Sequence, residues 1–106
     1  MDGQLKRGLL DVCVLAAIKN EDSYGYKIIK DMKPYLALSE STLYTILKRL
    51  ETASMLTVRT AEHGGRLRKY YHITEEGWKR LAEFRTEWEE MVAIYQFVTK
   101  EDKNDE

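Results

Sequence analysis

Apolar side chains recur every three to four residues in four stretches of this chain, and alternate with polar ones in two short stretches between the third and the fourth. The first period belongs to helices and the second to strands. Residues 5–19 form the first predicted helix. Leu5, Leu9, Val12 and Ala16 make one stripe, and Leu10, Val14, Ala17 and Ile18 a second. Two apolar stripes imply burial on two sides, one in the core and one against another subunit. Residues 20–23 read as a polar turn with Ser23 as N-cap. A second helix over 24–33 packs through Tyr24, Ile28, Ile29 and Met32 and stops before Pro34, because the residue preceding proline disfavours helical dihedrals.

Ser39 is placed to cap a third helix over 40–53, in which Leu43, Ile46, Leu47 and Leu50 mark the core side. Residues 55–60 and 68–73 alternate and are rich in Val, Thr and Tyr, so they read as a hairpin with His63-Gly64-Gly65 at its tip. Thr74 caps a last helix running to about residue 100. There Leu81, Phe84, Trp88, Met91, Tyr95 and Val98 follow steps of three and four, a heptad seam that Val92, Ile94 and Phe97 widen. A terminal helix this apolar calls for a partner helix, most simply its symmetry mate. The sum is an α+β, mostly α fold. It has a winged helix-turn-helix over 1–74, a long C-terminal dimerisation helix over 75–100 and a disordered acidic tail over 101–106.

The outward side of the third helix carries Ser41, Tyr44, Thr45, Lys48 and Thr52. Short hydroxyls, a phenol and a cation suit phosphates and base edges. At the hairpin, Arg66, Arg68 and Lys69 place three cations within four residues of a Gly64-Gly65 tip, where glycine lets the backbone approach a phosphate closely. Net charge of −1 hides the asymmetry behind this. Up to Thr74 there are twelve basic against eight acidic side chains, and after it five against ten. A basic body with an acidic tail points to a nucleic-acid face on one side.

Other classes fare worse. His63, His72 and Cys13 form no catalytic or metal-ligand spacing, and there is no phosphate-binding loop. No enzyme, metal or cofactor is therefore expected. Glu75-Glu76 complements a helix dipole. Cys13 sits among apolar neighbours and reads as a small buried hydrophobe. No apolar run has the ~20 residues of a membrane span, and the N-terminus lacks a signal-peptide pattern, so a cytoplasmic protein is expected. The rival to DNA binding is a winged helix used for protein–protein contact without ligand sensing. Such modules usually lose the basic wing.

The ordered set Tyr24-Gly25-Tyr26, Ser39-Glu40-Ser41-Thr42-Leu43-Tyr44, Leu50-Glu51, Gly64-Gly65-Arg66-Leu67-Arg68-Lys69-Tyr70-Tyr71 and Thr74-Glu75-Glu76-Gly77 resembles the PadR family of bacterial transcriptional regulators. The resemblance implies a homodimeric repressor on double-stranded DNA with an inverted-repeat operator. By the family pattern, Ser41, Thr42, Tyr44 and Lys48 touch DNA from the recognition helix, and Arg66 and Lys69 from the wing. Together with the reading of the residues, the expected DNA face is Ser39, Ser41, Thr42, Tyr44, Thr45, Lys48, Arg49, Gly64, Gly65, Arg66, Arg68, Lys69 and Tyr70, with Tyr70 equally placed to be core. The single terminal helix is similar to short, drug-sensing members, whose tryptophans stack flat aromatic effectors at the dimer interface. Trp88 falls at that position, and Phe84, Val92, Leu9 and Val12 complete the expected pocket. Val92 stands where an acid would hold a cationic ligand. Trp88 as plain dimer packing is the alternative. The expected dimer interface is Leu5, Leu9, Val12, Leu81, Phe84, Trp88, Met91, Tyr95 and Val98.

Overall fold

The computed structural model describes residues 1–101. Its elements are α1 (Gly3–Ala17), α2 (Gly25–Met32), α3 (Glu40–Thr52), β1 (Leu56–His63), β2 (Arg66–Ile73) and α4 (Glu75–Thr99). The fold class is as expected: four helices and an antiparallel two-stranded sheet. The expected tail lies, beyond Glu101, outside the described residues.

The core forms where the predicted stripes converge. Val14, Leu15 and Ile18 of the α1 segment, Ile28 and Met32 of α2, and Leu43, Ile46, Leu47 and Leu50 of α3 are buried together with Leu56, Tyr71 and Ile73 at the base of the hairpin. Each such side chain contributes about 1.5–3 kcal/mol when fully removed from water. The caps fix where the elements start. Ser39 accepts from the Thr42 backbone N–H at 3.2 Å, and Thr74 Oγ1 accepts from the Gly77 N–H at 3.2 Å while donating to the Ser54 carbonyl at 2.7 Å. That second bond ties the start of α4 to the end of α3. Gly77 is required there, because a Cβ would run into the Met55 carbonyl oxygen and stand 2.6 Å from Ile73 Cγ1.

Three sequence expectations need correction. The first helix begins at Gly3, earlier than predicted, because the Asp2 carboxylate accepts from the Leu5 N–H and caps it. Ser23 caps nothing. It exchanges backbone hydrogen bonds with Tyr71 at 3.2 and 2.8 Å as an isolated bridge on the outer edge of β2, and its buried hydroxyl has no partner among the described residues. Tyr24 holds the cap position of α2 without a side-chain bond. The hairpin tip is tighter than predicted: His63 pairs with Arg66 inside the sheet, leaving a two-residue turn. Gly64 and Gly65 take φ of 58° and 80°, the left-handed pair that matches the twist of the flanking strands.

Candidate nucleic-acid interface

Burying Leu43, Ile46, Leu47 and Leu50 turns the other side of α3 outward. Ser41, Thr42, Tyr44, Thr45 and Lys48 are all exposed there, as is the capping Ser39. Ser39 Oγ also meets Thr42 Oγ1 at 2.8 Å, and Thr45 Oγ1 donates to the Ser41 carbonyl at 3.0 Å. These hydroxyls are thus held in place along the first turns of α3.

The wing stands beside this face. A groove of about 600 Å³ runs between them, lined by Tyr24, Gly25 and Tyr26 of the α2 end, Glu40 and Tyr44 of α3, and His63, Arg66, Leu67, Arg68, Lys69 and Tyr71 of the wing. Tyr44 leans over the start of α2, where a Cβ on Gly25 would sit 2.7 Å from its hydroxyl oxygen. Burial pushes the Tyr71 phenol above its ordinary range, and the neighbouring Tyr44 and Glu51 add to the shift. Arg66, Lys69 and Lys48 form no ion pair among the described residues, so their charge faces solvent.

Three residues expected with this group are engaged by partners within the chain. Arg49 is turned inward, where its guanidinium pairs with Asp11 of α1. It lies one position beyond Lys48, so the helical turn that exposes Lys48 carries Arg49 towards α1. Arg68 is half-buried, its guanidinium 3.8 Å from the centroid of the Tyr24 ring. Tyr70 is half-buried as well. It meets Tyr24 edge-on at 5.8 Å and lies under Arg59 at 4.7 Å. One further contact fixes the base of the wing: Asp22 accepts from Arg59 Nε at 3.3 Å and faces His72 Nδ1 at 2.7 Å. The His72 hydrogen bond, helped by Arg59, holds the Asp22 carboxyl below the usual carboxylate range against the opposing effect of burial. Asp22, Tyr24, Arg59 and His72 were not singled out together by the sequence, since no local spacing links residues separated by 37 and 50 positions.

A second concave region lies between α1 and α4. Phe84 and Trp88 stack with centroids 6.0 Å apart and planes inclined by 29°. They line two adjoining grooves. The larger, about 930 Å³, also takes Val12, Cys13, Ala16, Trp78 and Leu81. The smaller, about 200 Å³, takes Leu5, Gly8, Leu9 and Met91. Trp88 remains 46 % exposed. Burial raises the Cys13 thiol above its ordinary range, which leaves it an unreactive thiol rather than a thiolate. Of the residues expected at an effector pocket, Val12, Leu9, Phe84 and Trp88 line these grooves, Val12 with only 4 % of its surface exposed. Val92 lines neither groove. Further along α4, Ile94, Tyr95, Phe97 and Val98 are uncovered, Val98 at 71 % exposure. No described helix is long and apolar enough to cross a membrane.

Comparison with known proteins agrees with this geometry. The family model for PadR-like transcriptional regulators matches residues 14–83. A PadR-like transcription factor from Bacteroides fragilis superposes with a TM-score of 0.82 at 31 % identity, over 91 % of this chain and 95 % of its own. A protein of Streptococcus mutans shares 41 % identity at a TM-score of 0.77, over 91 % and 94 % of the two chains. Bacillus subtilis PadR, solved in complex with operator DNA, superposes with a TM-score of 0.67 at 25 % identity, over 72 % of this chain and 46 % of its own. Match length and fold lead to one conclusion: the chain belongs to the PadR-like family of transcriptional regulators.

Proposed function

We propose that this protein is a homodimeric, sequence-specific repressor that reads an inverted-repeat operator. The observation that carries the reading is the shared groove of α3 and the wing. Exposed hydroxyls and Lys48 line the recognition helix, and the unpaired cations Arg66 and Lys69 stand beside it. In this reading Ser41, Thr42, Tyr44, Thr45 and Lys48 enter a major groove, with Ser39 at the entry of the helix. Arg66, Lys69 and the Gly64-Gly65 backbone follow the adjacent phosphates. The operator-bound Bacillus subtilis relative supports it.

Dimerisation in this reading uses the uncovered apolar side of α4, from Trp88 and Met91 to Tyr95 and Val98, with Leu5, Leu9, Leu81 and Phe84 from the adjoining grooves. A flat aromatic effector stacks on Trp88 and Phe84. Its entry changes the packing of the two α4 helices and the separation of the two reading heads, which draws the population away from the DNA-competent state. The test is fluorescence anisotropy with the duplex upstream of the protein's own gene and a scrambled duplex, over a salt series. Tighter binding to the native duplex, weakening steeply with salt, supports a specific regulator. Equal weak binding to both duplexes contradicts it.

A further inference from the structure

Past its base the wing receives little from the core. No residue between Leu56 and Tyr71 is buried, so the sheet projects beyond the hydrophobic cluster. From Tyr71 to the turn at Gly65 is six residues, an arm of about 20 Å at ~3.3 Å per residue. A tilt of about 10° at the base moves the tip of such an arm by roughly 3.5 Å, more than a hydrogen bond tolerates. The wing therefore needs a second tether to hold Arg66 and Lys69 at a fixed distance from α3.

The alternation of β2 supplies one. Arg66, Arg68, Tyr70 and His72 share one face, and Leu67, Lys69, Tyr71 and Ile73 the other. Of the first face, the three residues nearer the base are engaged by the short segment from Asp22 to Tyr24. His72 meets Asp22, Tyr70 meets the edge of Tyr24, and the Arg68 guanidinium covers the Tyr24 ring. Ser23, between them, bridges to Tyr71. Arg68 is the outermost of these contacts, only three positions from Gly65, and so has the longest leverage. A guanidinium over the face of a tyrosine ring is directional as well as attractive.

We propose that Arg68, seated on Tyr24, is a positioning residue that sets the angle of the wing, and is not itself one of the phosphate contacts. This rests on the reading of the α3–wing groove as a DNA face. Among the wing cations it divides the work: Arg66 and Lys69 meet DNA, and Arg68 holds them where they can.

Two measurements test it. The first is amide hydrogen exchange in the free protein. Arg68→Gln and Tyr24→Leu should each speed exchange several-fold over residues 60–70 with core amides unchanged, and Tyr24→Phe, which keeps the ring, should match wild type. Unchanged wing exchange in Arg68→Gln overturns the proposal. The second is the salt dependence of binding to the native upstream duplex. Arg66→Gln and Lys69→Gln should each flatten the slope by about 0.9, the loss of one phosphate contact. Arg68→Gln and Tyr24→Leu should weaken binding about tenfold with the slope unchanged. A flattened slope in Arg68→Gln overturns the proposal whatever the exchange shows. If the wild-type protein binds no duplex, the DNA reading fails, and the exchange experiment alone decides whether Arg68 holds the wing.

Discussion

The apolar side chains that converge from α1, α2, α3 and the base of the hairpin find partners inside the chain; those between Met91 and Val98 stay largely exposed. The first region closes a core from three helices and the base of the hairpin. The second carries Met91, Val92, Ile94, Tyr95, Phe97 and Val98 on the end of α4, where each is exposed among the described residues. The difference separates the part that folds on its own packing from the part that the proposed dimer would cover. A self-contained core should depend on its own packing alone. An uncovered apolar helix, if it packs against a second copy as proposed, should depend on protein concentration.

The largest expected effect lies in the self-contained region. Leu47→Ala should cost about 2–5 kcal/mol of unfolding free energy, the range for truncating a buried leucine. Urea titration should report that loss equally at low and high protein concentration. A cost that vanishes on concentrating the protein would erase the distinction drawn here. Next comes the uncovered helix. Tyr95→Glu combined with Val98→Glu should leave the far-ultraviolet circular dichroism of the body intact. It should also turn a dimer into a monomer by sedimentation and weaken operator binding by roughly a hundredfold, about 2.7 kcal/mol. An unchanged mass would place the dimer contact elsewhere.

A smaller effect is expected at a cap. Ser39→Ala removes the acceptor for the Thr42 N–H and should lower stability by about 1 kcal/mol, read as a lower urea midpoint at constant slope. The smallest belongs to the anchor at the foot of the wing. Asp22 has a folded-state pKa below its unfolded value, so its ionised form favours the fold. That contribution is complete above the ordinary carboxylate value of about 3.9 and is lost as pH falls through the lower folded value. Asp22→Asn should therefore lower Tm slightly at neutral pH, and the gap to wild type should close as the solution is acidified below about pH 4. A gap that persists at lower pH would mean that Asp22 acts through shape and not through charge.

The sequence made the periodic parts legible. Leu43, Ile46, Leu47 and Leu50 announced both the core side of α3 and, by exclusion, its outward side. The two glycines announced the turn, and Thr74 the start of α4. What it concealed depends on contacts between distant positions. Ser23 has the chemistry of a cap, but its backbone is drawn to the edge of β2 by Tyr71, 48 positions later. Arg49 has the chemistry of a phosphate contact, but Asp11 of α1 claims it. Val12 repeats in the stripe assigned to a partner, yet only 4 % of its surface is exposed. Arg68 clusters with Arg66 and Lys69 in sequence, and the two-residue alternation of the strand sends Arg68 to the face where Tyr24 waits. In each case local residue type was right and the partner was decided by the fold.

The most direct test of the central claim is a hydroxyl-radical footprint on the DNA upstream of the gene. Two recognition helices held by a symmetric dimer should protect two patches of equal size, related by two-fold symmetry and about one helical turn, roughly 34 Å, apart. That pattern is the result the account predicts. A single protected patch, or uniform cleavage at protein concentrations that saturate anisotropy, would contradict it.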